Sequence, residues 1–332
     1  CFFTKVQTHV CHRRDFSQKC KSMSVTDVLF HKSAQSLHNH VCHRRAFSQK
    51  CKSMSVTDVL FHKCKSMSVP DVLFHKSPKA CLAQPVMSSF FHCNVLSHKS
   101  FRNAISYYLA SRLASSTLSA MSWQSVFHEA FNDEPELAQQ MLNDLLAHFN
   151  RDAACDEYII PFLYYKGFHA LQSYRIGHWL WRRDRKMLAL YLQHRISRIF
   201  DVDIHPAAQM GSGIMLDHAT GIVIGETSVV DDDVSILHEV TLGGSGSSKC
   251  NRHPKIGRGV LLSAGATLLG DISVGVGAKV GSGSLVLSSV APYLTVAGVP
   301  AKVVGSARVK MPPLEMNSNL EAYTRGNPND GQ

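Results

Sequence analysis

The stretch DIHPAAQMGSGIMLDH, running from Asp203 to His218, gathers two aspartates and two histidines in one short span. Imidazole titrates near neutral pH. A histidine beside a hydroxyl can therefore take its proton and later return it to a leaving group. A carboxylate on the far ring nitrogen fixes the tautomer and steadies the imidazolium. His218 is the candidate base and Asp203, fifteen positions earlier, its candidate partner. On spacing alone, a core or surface histidine fits His218 equally well. His205, ahead of Pro206, reads as a turn or surface residue, and His238 as a plain rung residue.

Further along, RHPK sets Arg252 beside His253, and an arginine can grip a carboxylate through paired hydrogen bonds. Asp152 stands in the loop NRDAACDEY, where an aspartate most often serves a turn or a cap. Cys250 reads as a neutral loop cysteine.

The elements that must position these residues differ along the chain. Aliphatic side chains recur every six positions at Ile204, Met210, Leu216, Ile222, Val234 and Val240, with Ser228 breaking the frame. The frame resumes at Ile256, Leu262, Leu268, Val274, Val280 and Val286. This period fits neither an α-helix nor a hairpin meander. It predicts a left-handed, three-sided parallel β-helix with coils of about 18 residues. On that coil length, Asp203 and His218 fall on neighbouring rungs. Between Val240 and Ile256 the spacing is not a multiple of six, so the Gly- and Ser-rich segment 241–255 is read as a loop leaving the wall. Such loops carry function more often than stability.

Residues 87–200 have helical spacing instead. Leu137, Met141, Leu145 and Phe149 trace an i, i+4 stripe behind the start signal at Pro135. Trp179 and Trp181 read as packing residues. The predicted class is α+β: an all-α oligomerisation domain over 87–200, then the left-handed parallel β-helix over 201–305 as catalytic domain. Residues 306–332 are read as a flexible C-terminal tail.

Residues 1–86 are a repetitive basic tract. VCHRRDFSQKCKSMSVTDVLFHK at Val10–Lys32 returns almost unchanged at Val41–Lys63. It has no sustained apolar period, so it is read as a poorly ordered tail. Its basic, Ser-rich and acid-poor make-up also fits a transit peptide, which would direct the protein to a plastid or mitochondrion rather than the default cytoplasm. Its cysteines and histidines match no compact zinc pattern. The chain opens on Cys1 rather than Met, leaving the natural start open. The formal charge of +10 resides in this tract, while the rest is formally neutral. That excludes a basic nucleic-acid-binding body. No apolar run is long enough to span a membrane. Two scattered cysteines, Cys155 and Cys250, fit a reducing intracellular compartment.

DIHPAA, LDHATGIVIGET, VSILHEVTLGG, RHPKIG and VAGVPAK, together with FLYYKGFHALQSYRIGHWLW, resemble the serine acetyltransferases, from about Met87 to Gly305. The resemblance implies acetyl transfer from acetyl-CoA to the hydroxyl of L-serine, without a metal, as the first step of cysteine biosynthesis. It implies inhibition by L-cysteine and a trimer or dimer of trimers. By position in the motifs, His218 would be the base and Asp203 its partner. Asp152, Asp217, Arg252 and His253 would bind serine. Gly244, Ala264, Gly265, Ser282 and Gly283 would line the coenzyme A groove. The family also implies O-acetylserine sulfhydrylase as a partner, held by a C-terminal isoleucine. The polar Gln332 in its place speaks against that contact. The competing readings are a hexapeptide acetyltransferase for a sugar or amino sugar, and a non-enzymatic paralogue, against which His218 and Asp203 argue.

Overall fold

The computed structural model describes residues 85–246, 250–306 and 316. The repeats of the N-terminal tract, the transit-peptide and zinc readings attached to them, and Gln332 lie outside the described residues.

Helices come first: α1 (Pro85–Phe91), running into a π-helical turn at His92–Leu96, α2 (Phe101–Leu113), α3 (Ala120–Asp133), α4 (Glu136–Arg151), α5 (Ile159–Tyr164), α6 (Lys166–Arg182) and α7 (Lys186–Phe200). Ser100 and Ser119 cap α2 and α3 by accepting from the backbone N–H of Asn103 and Ser122. Pro135 stands at the N-cap of α4, where its missing N–H costs nothing. Leu137, Met141 and Leu145 of the expected stripe are buried, and Phe149 packs at the edge of the core. Trp179 is buried and donates its Nε1–H to Asp133 (2.7 Å). Among the described residues, no helix is long and apolar enough to cross a membrane.

Among the described residues fifteen short strands follow, β1 (Val202–Ile204) to β15 (Ala301–Ser306). They stack into three sheets: β1, β4 (Ile222–Ile224), β7 (Thr241–Gly243), β10 (Thr267–Leu269) and β13 (Leu285–Val286); β2 (Gln209–Met210), β5 (Val229–Val230), β8 (Lys255–Ile256) and β11 (Ser273–Val274); and β3 (Met215–Leu216), β6 (Ser235–Ile236), β9 (Leu261–Leu262), β12 (Lys279–Val280), β14 (Leu294–Gly298) and β15. All pairings are parallel except the closing pair β14–β15. This is a parallel β-helix, as the period required. Along the parallel coils, side chains two positions apart point inward in pairs, such as Val202 with Ile204 and Val240 with Leu242.

The pairing corrects the six-residue frame in one respect. Val202 pairs with Ile222, whereas Val223 pairs with Thr241, so the first coil is two residues longer than an 18-residue coil. The extra residues lie in Asp217–Gly221. Ile204 therefore stacks on Ile224 rather than Ile222, and Ile222, Ser228, Val234 and Val240 take the first of the two inward places. Ala208, Ala266 and Ala278 occupy that place on other strands, so Ser228 fits it by size. The second lengthening is the predicted loop: Leu242 pairs with Leu268, eight residues beyond the regular coil.

The helices dock on the solenoid through a buried ion pair. Asp144 on α4 accepts from Arg175 Nε (2.8 Å) and Gln172 on α6, and its other oxygen takes the backbone N–H of Ile214 (2.9 Å). Arg175 also donates to Gly211 O (2.7 Å). Two helices and one coil corner thus share one carboxylate.

Candidate active site

His218 sits in the two-residue lengthening of the first coil. His218 and Ala219 both have left-handed backbone, φ 54° and 62°. For side-chain-bearing residues this is uncommon and must be held by the surroundings. The brace is α6. A β-carbon on Gly167 would stand 2.2 Å from Leu216 O and 2.9 Å from the Ala219 methyl, so only glycine lets the helix start press on this turn. Ala219 is buried beneath it and His218 is exposed. The KGF of the sequence is thereby part of the site's scaffold.

Asp152, at the C-terminus of α4, lies beside this turn. Its Oδ1 accepts from Ala154 N (2.8 Å) and its Oδ2 from the Tyr165 hydroxyl (2.6 Å). Burial, followed by the Asp152 carboxylate, pushes the Tyr165 phenol well above its usual value, and Asp217 adds to the same effect. Tyr165 therefore stands between the two aspartates as a neutral donor. Cys155 completes the group. Burial, then the charge of Asp152, pushes its thiol up to about 11, so it is protonated and unreactive at neutral pH.

Arg252 and His253 form a separate group around Glu226 and Thr227, just past β4 (Ile222–Ile224). Thr227 Oγ1 accepts from the backbone N–H of Arg252 (3.1 Å) and of His253 (3.2 Å). Its own hydroxyl proton is left for His253 Nδ1 (2.9 Å), which also accepts from Thr227 N (3.2 Å). An Nδ1 with two donors carries no proton, so the His253 proton is on Nε2. Arg252 pairs with Glu226 (2.6 Å), holding that carboxyl below its usual range. Burial lowers His253 as well. Gly244 faces this group, with its would-be β-carbon 3.2 Å from His253 Nε2.

Asp203 on β1 accepts at Oδ1 from Gln193 Nε2 of α7 (2.6 Å). Burial lowers His205 from its ordinary value, with the charges of Glu226 and then Asp203 opposing it. His205 is half-buried, edge-on to Trp181 (5.1 Å between centroids). Among the described residues, no hydrogen bond or ion pair joins Asp203 to His218. The expected neighbouring-rung pairing is thus not formed inside the chain.

The sequence candidates therefore separate into two corners of the triangular section. His218, Asp217 and Asp152 occupy the corner where β4 begins, and Arg252, His253 and Gly244 the corner where it ends. The first corner continues up the solenoid. Glu239 N donates to Thr220 O (2.7 Å), Gly265 N to His238 O (2.9 Å) and Gly283 N to Ala264 O (2.8 Å). His238, Ala264–Gly265 and Ser282–Gly283 thus form one column above His218. Among the described residues, no cluster of three or more His, Cys, Asp or Glu could hold a metal ion.

Tyr165, Thr227, Glu226 and Gln193 carry no signal of their own in the sequence. The first three lie inside the motifs, but their tasks are contacts with residues distant in sequence.

The profile of the family described as "Serine acetyltransferase, N-terminal" matches residues 71–173. A serine acetyltransferase of Salmonella typhimurium is 52% identical over 237 residues, 71% of this chain and 87% of the relative. The chain belongs to the serine acetyltransferase family. Among solved structures, a serine acetyltransferase in complex with cysteine superposes with a TM-score of 0.73 at 47% identity, over 76% of this chain and 98% of that one. The enzyme of Brucella abortus in complex with coenzyme A gives 0.70 at 45% identity, over 72% and 95%. The family assignment accounts for the helical region followed by a β-helix, and it makes the chain an acyltransferase.

Proposed function

We propose that this chain transfers the acetyl group of acetyl-CoA to the hydroxyl of L-serine, giving O-acetyl-L-serine and coenzyme A, at a site built between two copies of the chain. The observation that carries the shared site is the separation of His218 from Arg252 and His253 to opposite ends of β4. That strand spans about 10 Å at ~3.3 Å per residue. One amino acid must meet both groups, so the second comes from a neighbour. A cyclic trimer supplies this arrangement at every boundary. Asp203 stands on the face between the two corners, at the middle of β1 opposite Val223, and in this reading it meets His218 of a neighbouring chain. The helical region is free to pair two such trimers.

In this reading Asp152 and Asp217 hold the serine ammonium, and Arg252 with His253 its carboxylate. His218 removes the hydroxyl proton as oxygen attacks the thioester carbon, then returns it to the departing thiolate. Asp203 keeps the imidazole oriented. Coenzyme A lies along Ala264, Gly265, Ser282 and Gly283 of one chain, with Gly244 of the next facing it. L-Cysteine shares the ammonium and carboxylate of serine, so it occupies the same pocket and inhibits.

The test is an assay of coenzyme A release with L-serine and a panel of sugars and amino sugars, with and without L-cysteine. Release with serine, suppressed by cysteine, is the expected result. Release with a sugar acceptor and none with serine would overturn it.

A further inference from the structure

We propose that Lys255 is a positioning residue for the serine carboxylate: its ammonium ties the His253 backbone to the corner at Thr227 and so holds the imidazole in the pocket. The inference rests on the reading of Arg252 and His253 as the group that receives that carboxylate.

Lys255 is where the long loop rejoins the wall. The chain leaves the solenoid after β7 and returns at Lys255, the first residue of β8. Its backbone belongs to the ladder. Lys255 N donates to Ile272 O (2.8 Å), and the residue pairs with Val229 on one side and Ser273 on the other. Arg252 and His253 stand three and two positions before this anchor. Ile256 takes the inward place on β8 and is fully buried, so the half-buried Lys255 side chain projects from the wall.

That side chain turns back on the loop. Nζ donates to Thr227 O and to His253 O (3.3 Å). Asp271, on the next coil, lies 4.0 Å from Nζ. An ammonium has three donors and no acceptor, which suits a point where two carbonyls and a carboxylate converge. Hydrogen bonds from a charged donor are also stronger than neutral ones. Thr227 thereby grips the loop from both ends. Its Oγ1 accepts from the backbone N–H of Arg252 and of His253, and its carbonyl shares the ammonium with that of His253. Without Lys255 the two carbonyl oxygens lose the donor between them, and the His253 peptide is free to turn. The ammonium is engaged by groups of its own chain, so it positions the pocket rather than binding the substrate.

The same charge supports the ring. Burial and then Arg252 lower His253 from its ordinary value; Glu226 opposes them, and Lys255 and His205 add to the lowering. Asp271 offsets part of the Lys255 charge. A neutral His253 accepts from Thr227 at Nδ1, whereas a protonated one cannot. Lys255 thus favours the form that keeps the ring in place.

The test compares Lys255→Met and Lys255→Arg with the wild-type enzyme. In the methionine variant KM for serine and Ki for L-cysteine rise together by about 10-fold, while kcat stays within about 3-fold and Kd for coenzyme A within about 2-fold. Arginine restores a charged donor and recovers most of that loss. A second readout, independent of turnover, is hydrogen exchange at the Arg252 and His253 amides as a function of pH. Removing a nearby cation raises the His253 value towards 6.5, so the pH at which protection is lost moves upward in Lys255→Met. In Lys255→Arg it returns to the wild-type pH. A purely structural role would lower protection at every pH without moving that midpoint. Should the methionine variant not fold, Lys255→Gln keeps an amide donor without the charge, and the midpoint must rise there too. A serine KM within about 2-fold of wild type in Lys255→Met, equal loss in the methionine and arginine variants, or an unmoved midpoint would each overturn the proposal. Failure of the underlying reading looks different: the wild-type enzyme would not acetylate serine, or Arg252→Ala would leave KM for serine unchanged, while the midpoint would still respond to Lys255.

Discussion

The imidazole of His253 occupies the space that a β-carbon on Gly225 would need, with Nε2 and Cδ2 each 2.0 Å from that position. The ring is fixed on its other edge by Thr227, through Nδ1. It cannot retreat without giving up those bonds. Gly225→Ala is therefore expected to expel the ring, at about 1–3 kcal/mol of overpacking strain if the loop stays closed. Serine turnover should fall at least ~10-fold, while coenzyme A binding, measured by calorimetry, stays near normal. Equal loss of both would show that the loop does not serve serine alone.

Tyr165 makes a second prediction. Its hydroxyl holds Asp152 Oδ2, and the same carboxylate is assigned the serine ammonium. Tyr165→Phe removes one donor and leaves the ring in place. The carboxylate then turns more freely, at about 0.5–1.5 kcal/mol for a hydrogen bond, or roughly 2- to 12-fold. KM for serine and Ki for cysteine should rise together by that factor, with kcat nearly unchanged. A fall in kcat at constant KM would exclude the positioning role.

The solenoid was legible because its signal is repeated: one aliphatic place every six residues survives any single exception. The length of the first coil was not. A two-residue gain hides where both inward places of a strand are aliphatic, as at Ile222 and Ile224, because the frame can pass from one to the other unnoticed. Ser228 was the visible trace of that passage. The site residues were legible by type within their motifs. Their partners were not, because Gln193 for Asp203 and Tyr165 for Asp152 are chosen by the docking of α7 and α6. No local pattern encodes that docking.

His253 predicts a pH dependence of the loop. Its ordinary value is 6.5 and burial lowers it in the folded chain. The unfolded loop thus binds more protons between the two values, and closure strengthens as pH rises there. Closure is fully present above about pH 6.5 and is lost as pH falls through the lowered value, where Nδ1 takes a proton and can no longer accept from Thr227. Hydrogen exchange at the Arg252 and His253 amides reads this directly, since both donate to Thr227 Oγ1. After correction for intrinsic rates, protection should be flat above pH 6.5 and fall below it. A pH-independent protection would sink this reading of the ring.

Asp144 tests the docking of helices on solenoid. Its carboxylate is fully buried, and it answers Arg175, Gln172 and Ile214 N at once. Asp144→Asn leaves the Arg175 charge buried without its counter-ion, at a cost of about 3–5 kcal/mol. Because the pair joins α4 and α6 to the corner at Gly211–Ile214, the loss should appear as a lowered Tm together with weakened placement of Asp152 near His218. A variant that melts like the wild type would mean that the docking rests on apolar packing alone.

The shared site yields the sharpest expectation. If His218 of one chain works with Arg252 of the next, His218→Ala and Arg252→Ala each inactivate every site of their own assemblies. Mixing the two variants, unfolding and refolding them together, distributes chains at random in a cyclic trimer. A site is intact only where an Arg252→Ala chain supplies His218 and its neighbour, a His218→Ala chain, supplies Arg252. Each condition holds for half the chains, so about a quarter of the sites regain both groups. Turnover should return from near zero to about one quarter of the wild-type value in the same refolding protocol. If both groups served one site within a chain, every chain in the mixture would lack one of them, and no activity would return at any mixing ratio.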